Sequence, residues 1–424
     1  MRKRLTIILI ISAVLLGAVS IAVSATIDRK KKDELYRQVE LFSDAMAIIQ
    51  AEYVDAPSPK DLIYGALKGM LSSLDQHSQF MDQELYNDLK MDTVGRFGGT
   101  GLEIAIKDGL VTVITPIEDS PAWRAGIKAK DIIVKINDES TGDLSFTDVV
   151  KKIRGKPGTQ LTLTVLRQSE GKIMEFKITR DVIKVKDIKE TRILEDGVGY
   201  VRLVEFRENT VRDIVTAINN LSKQGMSVFI LDLRNNPGGL LDSAVKVAEQ
   251  FVEKGKMIVY TRGRRKEQDI DFISHATKTI TAVPMAILIN EGSASGSELL
   301  AACLQDYGRA IIIGTRSFGK NVVQSVIPLS DGSALKLTTC RFFPPSGRKI
   351  NENGVTPDII IEQTKALAAD EKEHKIKKID DIIAEIGKKE AQPEENKSDY
   401  KSDNQIMRAI DILKAMRLYK GPAK

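Results

Sequence analysis

Residues 283–306 read VPMAILINEGSASGSELLAACLQD. The apolar run ending at Ile289 has the length and content of a buried strand, and LLAACLQD reads as a helix. Between them lie three serines, Ser293, Ser295 and Ser297, spaced by small residues. Residues 231–245, LDLRNNPGGLLDSAV, repeat the arrangement of strand, polar glycine-bearing turn and helix. Each such turn presents unpaired backbone N–H groups at a helix N-terminus, where an anion can sit. Two of them converging on one developing negative charge would make an oxyanion hole. Two tight connections in an ordinary layered sheet would read the same way. With SVFILDLR (227–234) and AIIIGT (310–315) as further strands, the region 182–363 is expected to be an α/β layered core.

Working outward, residues 94–181 change to short β-branched runs, LVTVITPI, DIIVKIN and TQLTLTVLR, separated by Gly, Asp and Pro turns. This is a β-rich domain. Its FGGTGLEI segment (97–104) sets glycines beside a strand, leaving backbone N–H groups able to hold a terminal carboxylate while a peptide adds to the sheet edge. These residues, with SPAWRAGIKAKDIIVKIN (120–137) and IRGKPGTQLTLTVLR (153–167), resemble a PDZ domain. Lys130 stands where that pattern usually has glycine, which puts the local turn in question and leaves the carboxylate loop untouched.

Residues 28–93 carry helical spacing, for example Val39, Phe42, Ala45, Met46 and Ile49. Residues 364–424 are rich in Lys and Glu, with 391–405 reading as a solvated linker before an amphipathic stretch at Ile406, Ile410, Leu413 and Met416. At the other end, a basic start precedes an uncharged stretch from Leu5 to Ile27, 23 residues by sequence and enough for a tilted membrane span. Residues 1–27 are therefore expected to be a signal anchor or signal peptide that exports the rest.

Composition excludes several classes. The 63 Lys+Arg against 58 Asp+Glu leave a net charge of +5, so there is no bulk argument for nucleic acid. The three histidines lie far apart with no metal-site spacing, and the two cysteines, Cys303 and Cys340, make no disulfide scaffold and read as small buried residues. No metal or organic cofactor is expected.

A serine nucleophile needs a base, and GTRSFGKNVVQ (314–324) offers Lys320 beside Phe318 and Val322. A lysine serves only if desolvation brings its pKa down toward working pH. A solvated surface lysine would look no different. The stretch also fits G-x-x-x-x-G-K, but Asn321 replaces the Ser or Thr that a P-loop needs for magnesium, and VVQSVIPL reads as a strand. S-x-x-K of the penicillin-binding proteins fits Ser317 to Lys320, yet no K-T-G follows, and the SDN at 402–404 is expected in a hydrophilic tail outside any core.

As an ordered set, YVD (53–55), YGALKGMLSSLDQHS (64–78), the PDZ stretch, LDLRNNPGGLL, NEGSASGSE, GTRSFGKNVVQ and FFPPSGRKI (342–350) resemble the carboxyl-terminal processing proteases, tail-specific Ser/Lys peptidases. The fold class implied is multidomain α+β: membrane segment, helical segment, PDZ domain, α/β protease core and C-terminal helical extension. The resemblance implies Ser295 as nucleophile, Lys320 as general base, Gln324 orienting the base, and N–H groups of Gly296 and of the Gly238/Gly239 turn as oxyanion donors. It implies that Phe97, Gly98, Gly99, Thr100, Gly101 and Leu102 bind the substrate's C-terminal tail. Gln76 replaces a common proline and Asn321 a small residue; neither removes a catalytic group. The expected activity is an exported endopeptidase of the cell envelope, on the periplasmic or extracytoplasmic side of the inner membrane, acting on proteins or peptides with exposed C-terminal tails. The terminal helical segments resemble those used for a homodimer. A membrane-tethered PDZ scaffold with an inactive core is the competing reading.

Overall fold

The computed structural model describes residues 33–107, 109–168, 170–350, 353–364 and 400–419. The membrane-segment expectation for residues 1–27 lies outside these; among the described residues no helix is long and apolar enough to cross a membrane. The chain divides into two compact units, the first ending at Phe80 and the second beginning at Met81. The first contains a helix over 33–52 and the helix Pro59–Ser72, which starts at the N-cap Ser58 with proline in its first turn. The tilted ring pair Tyr64 and Phe80, with centroids 4.7 Å apart, packs within it.

In the second unit, the strands Leu102–Lys107, Leu110–Pro116, Ile132–Ile136, Gln160–Arg167 and Lys172–Thr179 neighbour one another in that order, all antiparallel. The short helix Pro121–Arg124 and the helix Phe146–Ile153 accompany them, and Val113, Ile133, Ile136, Val149, Leu163 and Val165 form the core. Arg96–Gly99 pairs antiparallel with Asp181–Lys184, so the domain's two chain ends leave side by side. Lys130 adopts φ +70°, the left-handed conformation that glycine takes without cost. The turn questioned on sequence grounds is thus made, with strain. Its neighbour Asp131 is buried in a two-pronged pair with Arg167 at 2.7 and 2.8 Å.

The larger core is a six-stranded sheet in the order Ile188–Ile193, Val198–Leu203, Val228–Asp232, Met285–Ile289, Ile311–Gly314, Ile359–Ile360. Its first pair is antiparallel and the rest are parallel. Side chains alternate across it with the period of two that a strand imposes. Phe229, Leu231, Ile287 and Ile289 face the helices Thr210–Lys223, Leu241–Glu249 and Gly296–Asp306. Val228, Ile230, Ala286, Leu288 and Ile313 face the opposite way, onto Ile406, Ala409, Ile410 and Leu413 of the helix Asn404–Tyr419. Burial on both faces is why these strands read as continuous apolar runs. Each fully buried Ile or Leu of that helix contributes about 1.5–3 kcal/mol.

The linker expectation is corrected at its C-terminal end. A turn of 3-10 helix occupies Tyr400–Ser402, and Gln405 is completely buried, so the SDN residues abut the core. The polar composition there reflects side chains bonded to strand ends, which hydropathy alone does not separate from solvated ones. A second antiparallel arrangement joins Val322–Pro328 to Ala334–Phe343, and the latter to Met257–Gly263, itself paired with Asp271–Ile273. Cys303 is buried and Cys340 half-buried, both as free thiols; burial pushes the Cys303 thiol up to about 12.

Candidate active site

The helix Gly296–Asp306 begins at Ser295, whose backbone has φ +52° and ψ −108°. A non-glycine residue there is strained, at a cost of order 1–3 kcal/mol, and persists only where surroundings hold it. Here they do. Ser293 Oγ donates to Leu233 O at 2.8 Å and accepts from Asn290 N at 3.0 Å. Ala294 N and Ser297 Oγ both donate to Asn236 O, at 3.0 and 2.9 Å. Ser293 and Ser297 are therefore consumed in shaping the turn, which leaves Ser295 as the half-exposed one of the three.

The turn after Val228–Asp232 lies directly against it. A Cβ on Gly238 would stand 2.8 Å from Ser295 Cβ, Gly296 N and Ala294 O, and one on Gly239 would stand 2.1 Å from Phe206 O. Both glycines have positive φ, +100° and +134°. Only glycine allows this approach. The Gly238 N–H donates to Asn236 Oδ1 at 2.9 Å, so it is already occupied. The N–H groups of Gly239 and Gly296 have no such partner among the described residues. That refines the sequence reading, which counted the whole Gly238/Gly239 turn as donor.

Glu298, which the sequence reading passed over, organises the site. It is fully buried, and its carboxylate accepts from Ser317 Oγ (2.6 Å), Gly319 N (2.6 Å), Lys320 N (2.9 Å) and Ser295 N (2.8 Å). The 314–321 loop is thereby tied to the serine turn, a bond strengthened by Phe318 N donating to Ser293 O at 3.0 Å. Burial raises the Glu298 pKa above its ordinary 4.5, while those four hydrogen bonds pull it back. A signal was present: Glu three residues after a helix-starting Ser is capping-box spacing. Gln324 sits on the strand that follows, beside a bulge between Val323 and Gln324, with Nε2 donating to Val322 O at 3.5 Å.

Remote from these residues in sequence, a cleft of about 210 Å³ opens on the β-rich domain, lined by Phe97, Thr100, Gly101, Leu102, Ile104, Phe146, Val150, Ile153 and Arg154. Four of the six residues expected to bind a tail line it; Gly98 and Gly99, which pair with Val182 and Asp181, do not. Gly101 has φ +77°, and a Cβ there would lie 2.2 Å from Ser120 Cβ. The apolar wall from Phe146 and Val150, i and i+4 on one helix, was missed, although that spacing was legible. The larger 550 Å³ cavity, between Phe251, Tyr307, Arg309 and Asp358, holds none of the expected residues. Among the described residues no cluster of His, Cys, Asp or Glu could hold a metal.

The family model "Peptidase family S41" matches residues 197–361, "PDZ domain" matches 112–167, and "Activating protease CtpB N-terminal domain" matches 18–85. A "Carboxy-terminal-processing protease" of Bartonella bacilliformis is 41% identical over 361 residues, covering 84% of this chain and 82% of its own. A "Probable CtpA-like serine protease" of Staphylococcus epidermidis is 35% identical over 364 residues, covering 85% and 73%. A crystal structure of an S41-type protein from Bacteroides fragilis shares the fold at TM-score 0.53, with 16% identity over 88% of this chain and 97% of that one.

Proposed function

The chain belongs to the carboxy-terminal-processing serine proteases of peptidase family S41, with a PDZ domain, and from that premise we propose that Ser295 is its nucleophile and Lys320 its general base. The observation that carries the proposal is the strained, half-exposed Ser295 at a helix N-terminus, tied through Glu298 to the backbone of Lys320. Ser295 Oγ attacks the peptide carbonyl carbon as Lys320 Nζ takes its proton. The oxyanion is received by the N–H groups of Gly296 and Gly239, and the proton passes to the leaving amine. Water, deprotonated by the same lysine, then hydrolyses the ester and frees the serine. Gln324 orients the lysine from the adjoining strand.

In this reading the PDZ cleft takes the substrate's C-terminal carboxylate on the loop at 97–102. The uncharged stretch from Leu5 to Ile27 holds the protease on the outer side of the inner membrane, where it meets envelope proteins with exposed tails. It works as a homodimer through its terminal helical segments.

Casein cleavage by single variants tests the assignment. Ser295→Ala and Lys320→Ala each remove nearly all turnover with the fold intact, and the double variant is no worse than either. Inactivation by Ser317→Ala with an active Ser295→Ala would overturn it. Mass spectrometry of envelope proteins that lengthen at their C-termini in a Ser295→Ala strain identifies the substrates.

A further inference from the structure

Arg234, the second residue beyond the strand Val228–Asp232, has a guanidinium that is 8% exposed and filled on both sides. Toward the sheet, Nε and Nη2 donate to Asp232 at 3.0 and 2.6 Å, and Asp232 also accepts from Arg234 N at 2.9 Å and Tyr200 OH at 2.8 Å. Toward the C-terminal helix, Nη1 meets Gln405 Oε1 and Asp403 Oδ2, each at 2.8 Å. Those two residues are themselves fixed. Asp403 Oδ1 caps the helix by accepting from Gln405 N and Ile406 N at 3.0 and 3.1 Å. Gln405 Nε2 donates to Ile361 O at 2.7 Å, and Asn404 Nδ2 to Glu362 O at 2.8 Å.

The residues that follow Arg234 grip the serine turn. Asn235 N donates to Asn290 Oδ1 at 2.8 Å while Asn290 Nδ2 donates to Asn235 Oδ1 at 2.9 Å. Asn236 O then holds Ala294 and Ser297, and Gly238 lies against Ser295. A continuous run of contacts thus leads from residues 403–405 to the nucleophile. We infer that Asp403 and Gln405 are positioning residues for the reaction: the C-terminal helix locks Arg234, and through it the 232–239 turn, in the geometry that faces Ser295. The inference rests on the Ser295 reading only for which atom is positioned.

Coverage of the sheet does not require this polar contact. Ile406, Ala409, Ile410 and Leu413 already seal that face. Burying a guanidinium, a carboxylate and a carboxamide together costs desolvation that an apolar junction would avoid, so the cluster contributes a fixed geometry more than it contributes stability. The strand ends it joins are the carboxyl ends of a parallel sheet, where sites of this architecture assemble.

Three full-chain variants separate the roles. Asp403→Asn keeps a capping side chain and loses the charge facing Arg234. Gln405→Leu keeps the volume and loses both hydrogen bonds. Ile410→Ala opens a cavity on the same helix without touching Arg234. The expected result is a fall in kcat of about ten- to hundredfold for the first two, measured where they remain folded, with KM nearly unchanged and Tm lowered no more than in Ile410→Ala. Ile410→Ala lowers Tm by several degrees at wild-type kcat. Wild-type kcat in Asp403→Asn and Gln405→Leu overturns the inference, as does an equal loss of kcat in Ile410→Ala, since the helix would then act only as a cover. The serine labelled by a fluorophosphonate, located by mass spectrometry, reports on the nucleophile assignment separately, and the kcat comparison stands whichever serine is found.

Discussion

Ser295 and Lys320, 25 positions apart in sequence, donate their backbone N–H groups to the same oxygen, Glu298 Oε2, at 2.8 and 2.9 Å. One buried carboxylate therefore sets the spacing between the residues proposed as nucleophile and base. Glu298→Gln turns one of the two acceptor oxygens into a donor facing N–H or O–H groups. Each buried donor left unpaired costs about 1–3 kcal/mol. The expected outcome is a loss of kcat of about 100-fold or more with the PDZ domain's peptide affinity unchanged, measured by turnover and by peptide binding on the same preparation. Wild-type kcat would mean that the loop at 314–321 is held by other bonds.

The same residue sets an acid limit. Burial raises its pKa above 4.5, so protonation begins at higher pH than for an ordinary glutamate, and the protonated acid can no longer accept four hydrogen bonds. Activity is expected to fall as pH drops through this raised value. Its contribution to stability runs the opposite way: the folded chain holds the proton more tightly than the unfolded one, so stability from this group rises as pH falls from the folded pKa to about 4.5 and is level below. Comparing Tm against pH for wild type and Glu298→Gln reads that difference directly; a Glu298 contribution that grew with rising pH would contradict the shift.

Gly238→Ala tests the approach of the two turns. Its Cβ would meet Ser295 Cβ and two backbone atoms at 2.8 Å, at a φ of +100° that alanine rarely adopts. Backbone cannot yield as a flexible side chain does, so the serine turn must move. A displacement of about 1 Å costs on the order of 100-fold in rate. Turnover falls by at least that much, whereas Gly225→Ala, with open space around it at φ +87°, lowers Tm slightly and leaves kcat alone.

The two strand–turn–helix units were legible because burial on both faces gives unbroken apolar runs, the β-rich domain because short β-branched runs alternate with Gly, Asp and Pro turns, and the close approaches because glycines mark where backbone must approach backbone. The stripe at Ile406, Ile410 and Leu413 announced a packed helix for the same reason, and the structure buries all three. What sequence did not disclose were the polar contacts between distant segments. Arg234 meets Gln405 across 171 positions, and Glu298 meets residues 317–320 some twenty positions away, with no periodicity to link them. Polar residues that serve such contacts look the same as solvated ones, which is why 400–405 read as linker. Nor does composition reveal that Ser295 and Asn235 take positive φ.

Lys130 offers a test on stability alone. At φ +70° it occupies the conformation that costs an ordinary residue about 1–2 kcal/mol and glycine nothing. Lys130→Gly relieves this, less the larger entropy that glycine loses on folding, for a net gain of about 0.5–1 kcal/mol. Its N–H bond to Val113 O at 2.8 Å is kept. Denaturant unfolding should show a higher midpoint with unchanged slope, and unaltered cleavage.

The cleft on the PDZ domain makes a prediction about substrate ends. The loop residues Thr100, Gly101 and Leu102 line it together with the apolar Ile104, Phe146, Val150 and Ile153, a lining that suits a terminal carboxylate and an apolar last side chain. Hydrogen bonds to a charged group contribute about 1.5–3 kcal/mol, so amidating the terminus weakens binding roughly tenfold to a hundredfold. Val150→Asp puts a carboxylate into the wall and repels both the apolar residue and the terminal charge. The measurement is cleavage of one peptide as free acid and as amide by the wild-type enzyme, by Val150→Asp and by a form lacking residues 94–181. The acid is preferred by the wild type and by neither of the others. Equal rates for acid and amide on the wild-type enzyme would remove tail recognition from this domain, and a preference that survives in both altered forms would place it in the protease core.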